Sequence, residues 1–248
     1  MAATASSPVE EDVFDCFDRY DKIPTKNSVA YIFSNVTFRD NETREASTQD
    51  NHLFKEALIN LGFRAENIKE YVDMETSDIP GKFDEDFDYP EIDCFVCAIL
   101  SYMLPENRIR TYDKAIPLNK ILRCVEDSSY LKDKPKLMFV VTTPRHCDNA
   151  IEKCDADTIG FEEEHTTPRT ADMLVVCSSS DNTTRSSYFM KFLHKVLEEC
   201  GNKYDIMTIL AAVSNCIKEE IESNEQMPCI MSTLTKQLKF ERSTNNTV

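Results

Sequence analysis

The chain has 248 residues, 41% hydrophobic and 29% charged, enough apolar material for a buried core and too much for a disordered segment. Lys and Arg number 28 against 44 Asp and Glu, a formal net charge of −16, which excludes the clustered cations that nucleic acid or an anionic membrane surface requires. With only 4 glycines a Gly-rich phosphate loop is excluded, no apolar run approaches the roughly 20 residues of a membrane span, and Met1–Glu10 lacks a signal peptide's apolar stretch, so the expectation is a cytoplasmic protein.

In chain order, Met1–Asn27 is polar and acidic and is expected to be a flexible tail. Ser28–Val36, with Val29, Tyr31, Ile32, Phe33 and Val36, predicts a buried strand. Asp50 is placed to cap a helix carrying Leu53, Ala57 and Leu61 at every fourth position, and Gly62 stands where such a helix ends. Thr76–Pro90 contains Pro80-Gly81 and the acids Asp78, Asp84, Glu85, Asp86 and Asp88, and is expected to be a loop. Cys94–Leu100 predicts a central strand, Ile116–Val125 a helix and Leu137–Val141 a short strand. Cys147–Pro168 is strongly acidic without a period, an exposed linker. Met173–Cys177 predicts another buried strand. Two helices follow, one from Phe189 to Cys200 closed by Gly201 and one from Ile206 to Ile221, and Cys229–Leu234 is the last strand. Strands alternating with helices predict an α/β sandwich around a mostly parallel sheet.

Ten cysteines without a secretory signal are expected to be reduced thiols. Cys94 and Cys97 form a CxxC, but positions three apart on a strand point to opposite faces and cannot share a metal. No second CxxC or CxxH supplies the ligands that zinc needs, so no metal and no cofactor is expected.

Four segments, in order, resemble the caspase family. Arg44-Glu-Ala-Ser-Thr-Gln-Asp50 and the helix ending Asn60-Leu61-Gly62-Phe63 resemble the family's arginine, small-residue loop and first helix. Asp93-Cys-Phe-Val-Cys-Ala-Ile-Leu-Ser101 resembles the strand leading to the catalytic histidine, and Lys134-Pro-Lys-Leu137 the run before the cysteine-bearing strand. Pro228-Cys-Ile-Met-Ser-Thr-Leu-Thr-Lys236 resembles the closing strand of the small subunit. The resemblance runs from about Ser28 to Phe240 and implies a three-layer α/β/α sandwich. It divides the chain into a large-subunit-like region (28–146), the acidic linker (147–168) and a small-subunit-like region (169–248).

The family's reactive residues are absent where the resemblance puts them. Ser101-Tyr102-Met103 stands in place of Ser-His-Gly, and Val141-Thr142-Thr143-Pro144-Arg145 in place of Gln-Ala-Cys-x-Gly, which puts Thr143, to within about one residue, at the nucleophile. A threonine hydroxyl is a far poorer acid than a thiol, and a neutral tyrosine, with a reference pKa of about 10, is no base at pH 7. Losing such groups costs about 10⁴–10⁶ in rate in serine proteases. Arg44 retains the family's first substrate arginine, either as a pocket remnant or as a structural ion-pair partner, while Arg185 reads as an exposed loop residue. A relocated site is the competing reading, with Cys147 as nucleophile beside His146; Cys154 and His165 fall in the linker, and His52 and His194 on helices.

What the resemblance implies is a catalytically inactive homologue that regulates an active caspase, and so apoptosis. It would act as activator or decoy by heterodimerisation, or form a homodimer. A decoy for caspase inhibitors or adaptors is a further alternative. The short tail is similar to those of short-prodomain insect effector caspases. Family members pair through the closing strand, which points to Ile230, Met231, Ser232, Thr233 and Leu234. Met231 and Thr233 share one face, expected to meet the partner, and Ile230, Ser232 and Leu234 the other. Asp155 and Asp157, each followed by a small residue, are candidate processing sites within the linker.

Overall fold

The computed structural model describes residues 23–84, 92–145, 168–181, 183–220 and 227–241. The elements are β1 (Ile23–Pro24), β2 (Val29–Ser34), α1 (Ala46–Leu61), β3 (Ile68–Val72), α2 (Asp78–Asp84), β4 (Phe95–Leu104), β5 (Arg108–Arg110), β6 (Ala115–Pro117) and α3 (Leu118–Glu126), followed by β7 (Lys136–Pro144), β8 (Met173–Ser179), α4 (Tyr188–Cys200), α5 (Ile206–Glu220), β9 (Cys229–Ser232) and β10 (Phe240–Glu241). The main sheet runs β3-β2-β4-β7-β8-β9, parallel throughout except for the antiparallel edge strand β9.

The central strands are apolar on both faces, as strands covered by helices on either side must be. Their alternation divides the core in two. Val96, Ala98 and Leu100 of β4, Leu137, Phe139 and Val141 of β7, and Leu174 and Val176 of β8 pack with α1, α4 and α5. Phe95, Cys97 and Ile99, Met138 and Val140, and Met173 and Val175 pack with α2 and α3. Cys94 lines the first cluster and Cys97 the second, so the CxxC thiols do face opposite ways. Burial pushes both thiols far up from their ordinary range.

Several boundaries differ from the sequence expectation. The tail ends earlier, because Ile23 is buried and pairs with Phe240, and Thr25 Oγ1 donates to the Glu241 carbonyl at 3.2 Å. Thr76–Pro90 is not all loop: Asp78–Asp84 is helical, with Pro80 in its first turn, where no intrahelical N–H bond is lost, and Ile79 and Phe83 turned inward. Ile116 belongs to β6 rather than to the helix, which begins at Leu118. Asp50 caps nothing, since α1 begins one turn earlier at Ala46 and Asp50 lies inside it, buried. Gly62 does end α1, in the left-handed region at φ 103°. Gly201 ends α4 with ordinary right-handed geometry, and its need for glycine is spatial: a Cβ there would lie 2.3 Å from Leu61 Cδ2. Most of the acidic linker, with Asp155 and Asp157, lies outside the described residues.

Candidate functional site

The site lies at the C-terminal ends of β4 and β7. Their parallel register continues past the apolar core and sets Tyr102 of β4 directly opposite Thr143 of β7. The two residues that the segment resemblance puts at the family's histidine and cysteine are thus neighbours on adjacent strands, each only 4% exposed.

Both hydroxyls have partners. The Tyr102 hydroxyl donates to the Thr43 carbonyl at 3.0 Å. Thr143 Oγ1 accepts from Arg44 Nε at 3.1 Å. Burial first, then the charge of Glu42, raise the Tyr102 pKa, only partly opposed by Arg44 and Arg145, so the phenol stays neutral at pH 7.

Arg44 is wholly enclosed. Its Nη1 donates to Ser47 Oγ at 2.6 Å, and its Nη2 lies 3.7 Å from Asp50 Oδ2, an ion pair without hydrogen-bond contact. Asp50 Oδ1 accepts from the backbone N–H of Ser187 at 2.9 Å, and Ser187 in turn caps α4 by accepting from the Met190 N–H. A chain of contacts therefore links Thr143 on β7, Arg44 before α1, Asp50 in α1 and the start of α4. Burial pushes Asp50 up from its ordinary 3.8 to about 6 against the opposing pull of Arg44 and of the Ser187 hydrogen bonds. Burial likewise lowers the Arg44 pKa, more than Asp50 and Tyr102 raise it.

On the other side of Tyr102 stands a more open cluster. Arg110 donates from Nη1 to Glu42 Oε2 and from Nη2 to Asp40 Oδ2, each at 2.5 Å, with its guanidinium 4.1 Å from the centre of the Phe38 ring. Arg145 also pairs with Glu42. Arg110 and Arg145 both lie 5.7 Å from the Tyr102 ring centre, so the aromatic face is flanked by two cations. This lattice draws on residues about 70 positions apart, and no local pattern in the sequence marks it. In the sequence Asp50 has the chemistry of a helix cap, and its spacing of six from Arg44 is the local sign of the pair.

The remaining candidates are dispersed. Arg185 is exposed in the turn before α4, as expected. His52 and His194 lie on α1 and α4, with Glu56 Oε2 at 3.3 and 3.7 Å respectively, remote in fold from the strand ends. Cys147, His146, Cys154 and His165 lie outside the described residues.

The closing strand is shorter than expected, Cys229–Ser232, and forms the sheet edge. Its faces alternate as anticipated, but both turn onto the chain's own core: Ile230 and Leu234 pack on the α1–α4–α5 side, Met231 on the α2–α3 side. Thr233 Oγ1 donates to the Thr170 carbonyl at 2.7 Å and its N–H to the Met173 carbonyl at 2.8 Å. Met231 and Thr233 are therefore half-buried against the chain's own core, while Cys229 on the same face is exposed; strand side chains stand perpendicular to the sheet, and a neighbouring strand would meet the backbone edge.

A family model described as "Caspase domain" matches residues 27–239. The chain belongs to the caspase-domain family. It is 28% identical to "Caspase-1" of Drosophila melanogaster, covering 96% of this chain and 83% of that protein. It is 24% identical to "Caspase-6" of Gallus gallus, covering 93% of this chain and 86% of that protein. Among solved structures, "structure of pro-sf-caspase-1" superposes with a TM-score of 0.74 at 24% identity, covering 98% of this chain and 99% of that one. The crystal structure of caspase-1 from Spodoptera frugiperda gives 0.71 at 22%, with 93% and 98% covered. The caspase-like fold is thus shared along nearly the whole chain. No helix among the described residues is long and apolar enough to cross a membrane.

Proposed function

We propose that this caspase-domain chain is a catalytically inactive homologue that regulates an active caspase by pairing with it. The observation that carries the reading is the Tyr102–Thr143 pair, in register where the family's dyad would stand. A cysteine protease needs a thiol and an imidazole that can take its proton. Here one hydroxyl is bound to a backbone carbonyl and the other to Arg44. On this reading Arg44 is a structural ion-pair partner rather than a working substrate arginine, because its guanidinium is turned onto Thr143, Ser47 and Asp50.

Pairing would use the backbone edge of β9 that no strand among the described residues covers. The Thr233 N–H turns inward to Met173, so by strand alternation the Ser232 N–H turns outward. An exposed strand edge invites a partner strand, and a two-fold related edge of another caspase domain supplies one. Such a contact changes the partner's activity only through different free energies with its active and inactive forms.

The test combines the purified chain with an active effector caspase and a fluorogenic aspartyl peptide. The chain alone is expected to cleave nothing, and to shift the caspase's rate in proportion to its concentration. Ser232→Pro removes an outward donor at an edge position that tolerates proline, and is expected to leave the fold intact while abolishing the shift. Peptide cleavage by the chain alone, or a folded Ser232→Pro chain that still shifts the rate, would overturn the proposal.

A further inference from the structure

The edge of the sheet also holds a pair of thiols. The antiparallel register of β8 and β9 sets Cys177 directly opposite Cys229. Both are free, Cys177 half-buried and Cys229 exposed. Residues so opposed point their side chains to the same face with Cα atoms about 4.5–5.5 Å apart, inside the span of about 4.4–6.8 Å found across disulfides. The two groups also sense each other: burial, and then the neighbouring Cys229, push the Cys177 thiol up to about 11. No other described thiols are matched in this way. Cys94 and Cys97 face opposite sides of the sheet, and Cys124, Cys200 and Cys216 stand on three different helices.

We infer that Cys177 and Cys229 form a reversible thiol–disulfide switch that staples the edge strand β9 to β8. With a peroxide as oxidant, the exposed Cys229 thiolate attacks one peroxide oxygen and the O–O bond breaks. This leaves a sulfenic acid on Cys229 and, after protonation, one water. The Cys177 sulfur then displaces the hydroxyl from the Cys229 sulfur. The S–S bond forms, and the hydroxyl leaves as a second water with the Cys177 proton. Two thiols lose two electrons and the peroxide gains them. Two equivalents of a small reducing thiol reverse the step, themselves becoming a disulfide.

The bond is expected to be readily reduced. Cross-strand Cβ atoms lie about 4.5–5.5 Å apart and a disulfide holds them at about 3.5–4.5 Å, so closure draws the strands together, and such strained or exposed links are the labile ones. The thiols stand on the sheet face, so a strand added to the backbone edge of β9 leaves them in place. The switch would thus act on the very strand through which pairing is proposed, although its existence does not depend on that pairing.

The test uses the full chain, oxidised with hydrogen peroxide, alkylated, digested and mapped by mass spectrometry before and after dithiothreitol. Oxidation is expected to produce, in the monomer fraction, a peptide pair joining residues 177 and 229 with a loss of about 2 Da, reversed by reduction. The melting midpoint should rise by several degrees with it. Cys229→Ser, at an exposed position, should lose both effects with the far-UV spectrum unchanged, and Cys216→Ser should keep both. Absence of that peptide pair under excess peroxide, a link from Cys229 only to a second copy, or a link that leaves the melting midpoint unchanged each overturns the proposal.

Discussion

Two groups of charges flank the Tyr102–Thr143 pair, and they differ in depth. Arg44 and Asp50 are sealed, with both side chains 0% exposed. Arg110 is 5% exposed, but its partners Asp40 and Glu42 stand 53% and 31% in the open. In the sealed pair both pKa values move the way burial drives them, the carboxyl up and the guanidinium down, so desolvation outweighs the attraction. The surrounding fold therefore holds that pair together. In the open cluster water still solvates the carboxylates, and one guanidinium over an aromatic ring donates to both of them, so the desolvation cost is smaller. The same chemistry thus carries different desolvation costs a few residues apart, decided by access to water.

Breaking the sealed pair on one side should have the largest effect. Arg44→Ala or Asp50→Ala strands a buried charge and is expected to cost about 3–5 kcal/mol in urea unfolding. Replacing both together, Arg44→Met with Asp50→Leu, should recover most of that loss, and no recovery would mean that the pair contributes more than it costs. In the open cluster, Arg110→Ala is expected to cost about 1.5–3 kcal/mol, from the lost charged hydrogen bonds. That cost should shrink in high salt, whereas the Asp50→Ala cost should not, because only the open cluster is screened.

The pH dependence separates the two groups again. The folded chain keeps the Asp50 proton up to about pH 6, while the unfolded chain releases it near 3.8. Its contribution to stability is fully present below pH 3.8 and is lost as pH rises through about 6. Asp50→Asn should therefore flatten the melting midpoint between pH 4 and 6 relative to the wild type, and an unchanged slope there would place the titration elsewhere. The smallest effect belongs to the helix surface. His52→Ala, which removes an exposed contact with Glu56, should change stability by less than about 0.5 kcal/mol.

The strands that carry Tyr102 and Thr143 are legible in the sequence because each residue follows a long apolar run, while their place against the family's dyad comes from the resemblance. The ends of those runs were less legible. β4 extends to Leu104 and β7 to Pro144, since pairing with a neighbour carries a strand beyond its apolar stretch. Asp50 was misread because a capping residue and a buried ion-pair partner share one side-chain chemistry, and only the helix start distinguishes them. Asp78–Asp84 was missed because Pro-Gly and flanking acids outweigh two inward apolar residues in any local reading.

Composition and periodicity by themselves determined the layered architecture and the order of the central elements, and the segment resemblance pointed to Tyr102 and Thr143. These depend on side-chain type and on spacing within one element, and both are written along the chain. Tertiary structure alone decided what those residues touch: that Arg44 turns onto Thr143 and Asp50, that Arg110 reaches Asp40 and Glu42, and that Met231 and Thr233 of the closing segment are half-buried against the chain's own core. Such contacts join residues separated by up to about a hundred positions. Their strength depends on burial and distance, which exist only once the sheet has brought the segments together.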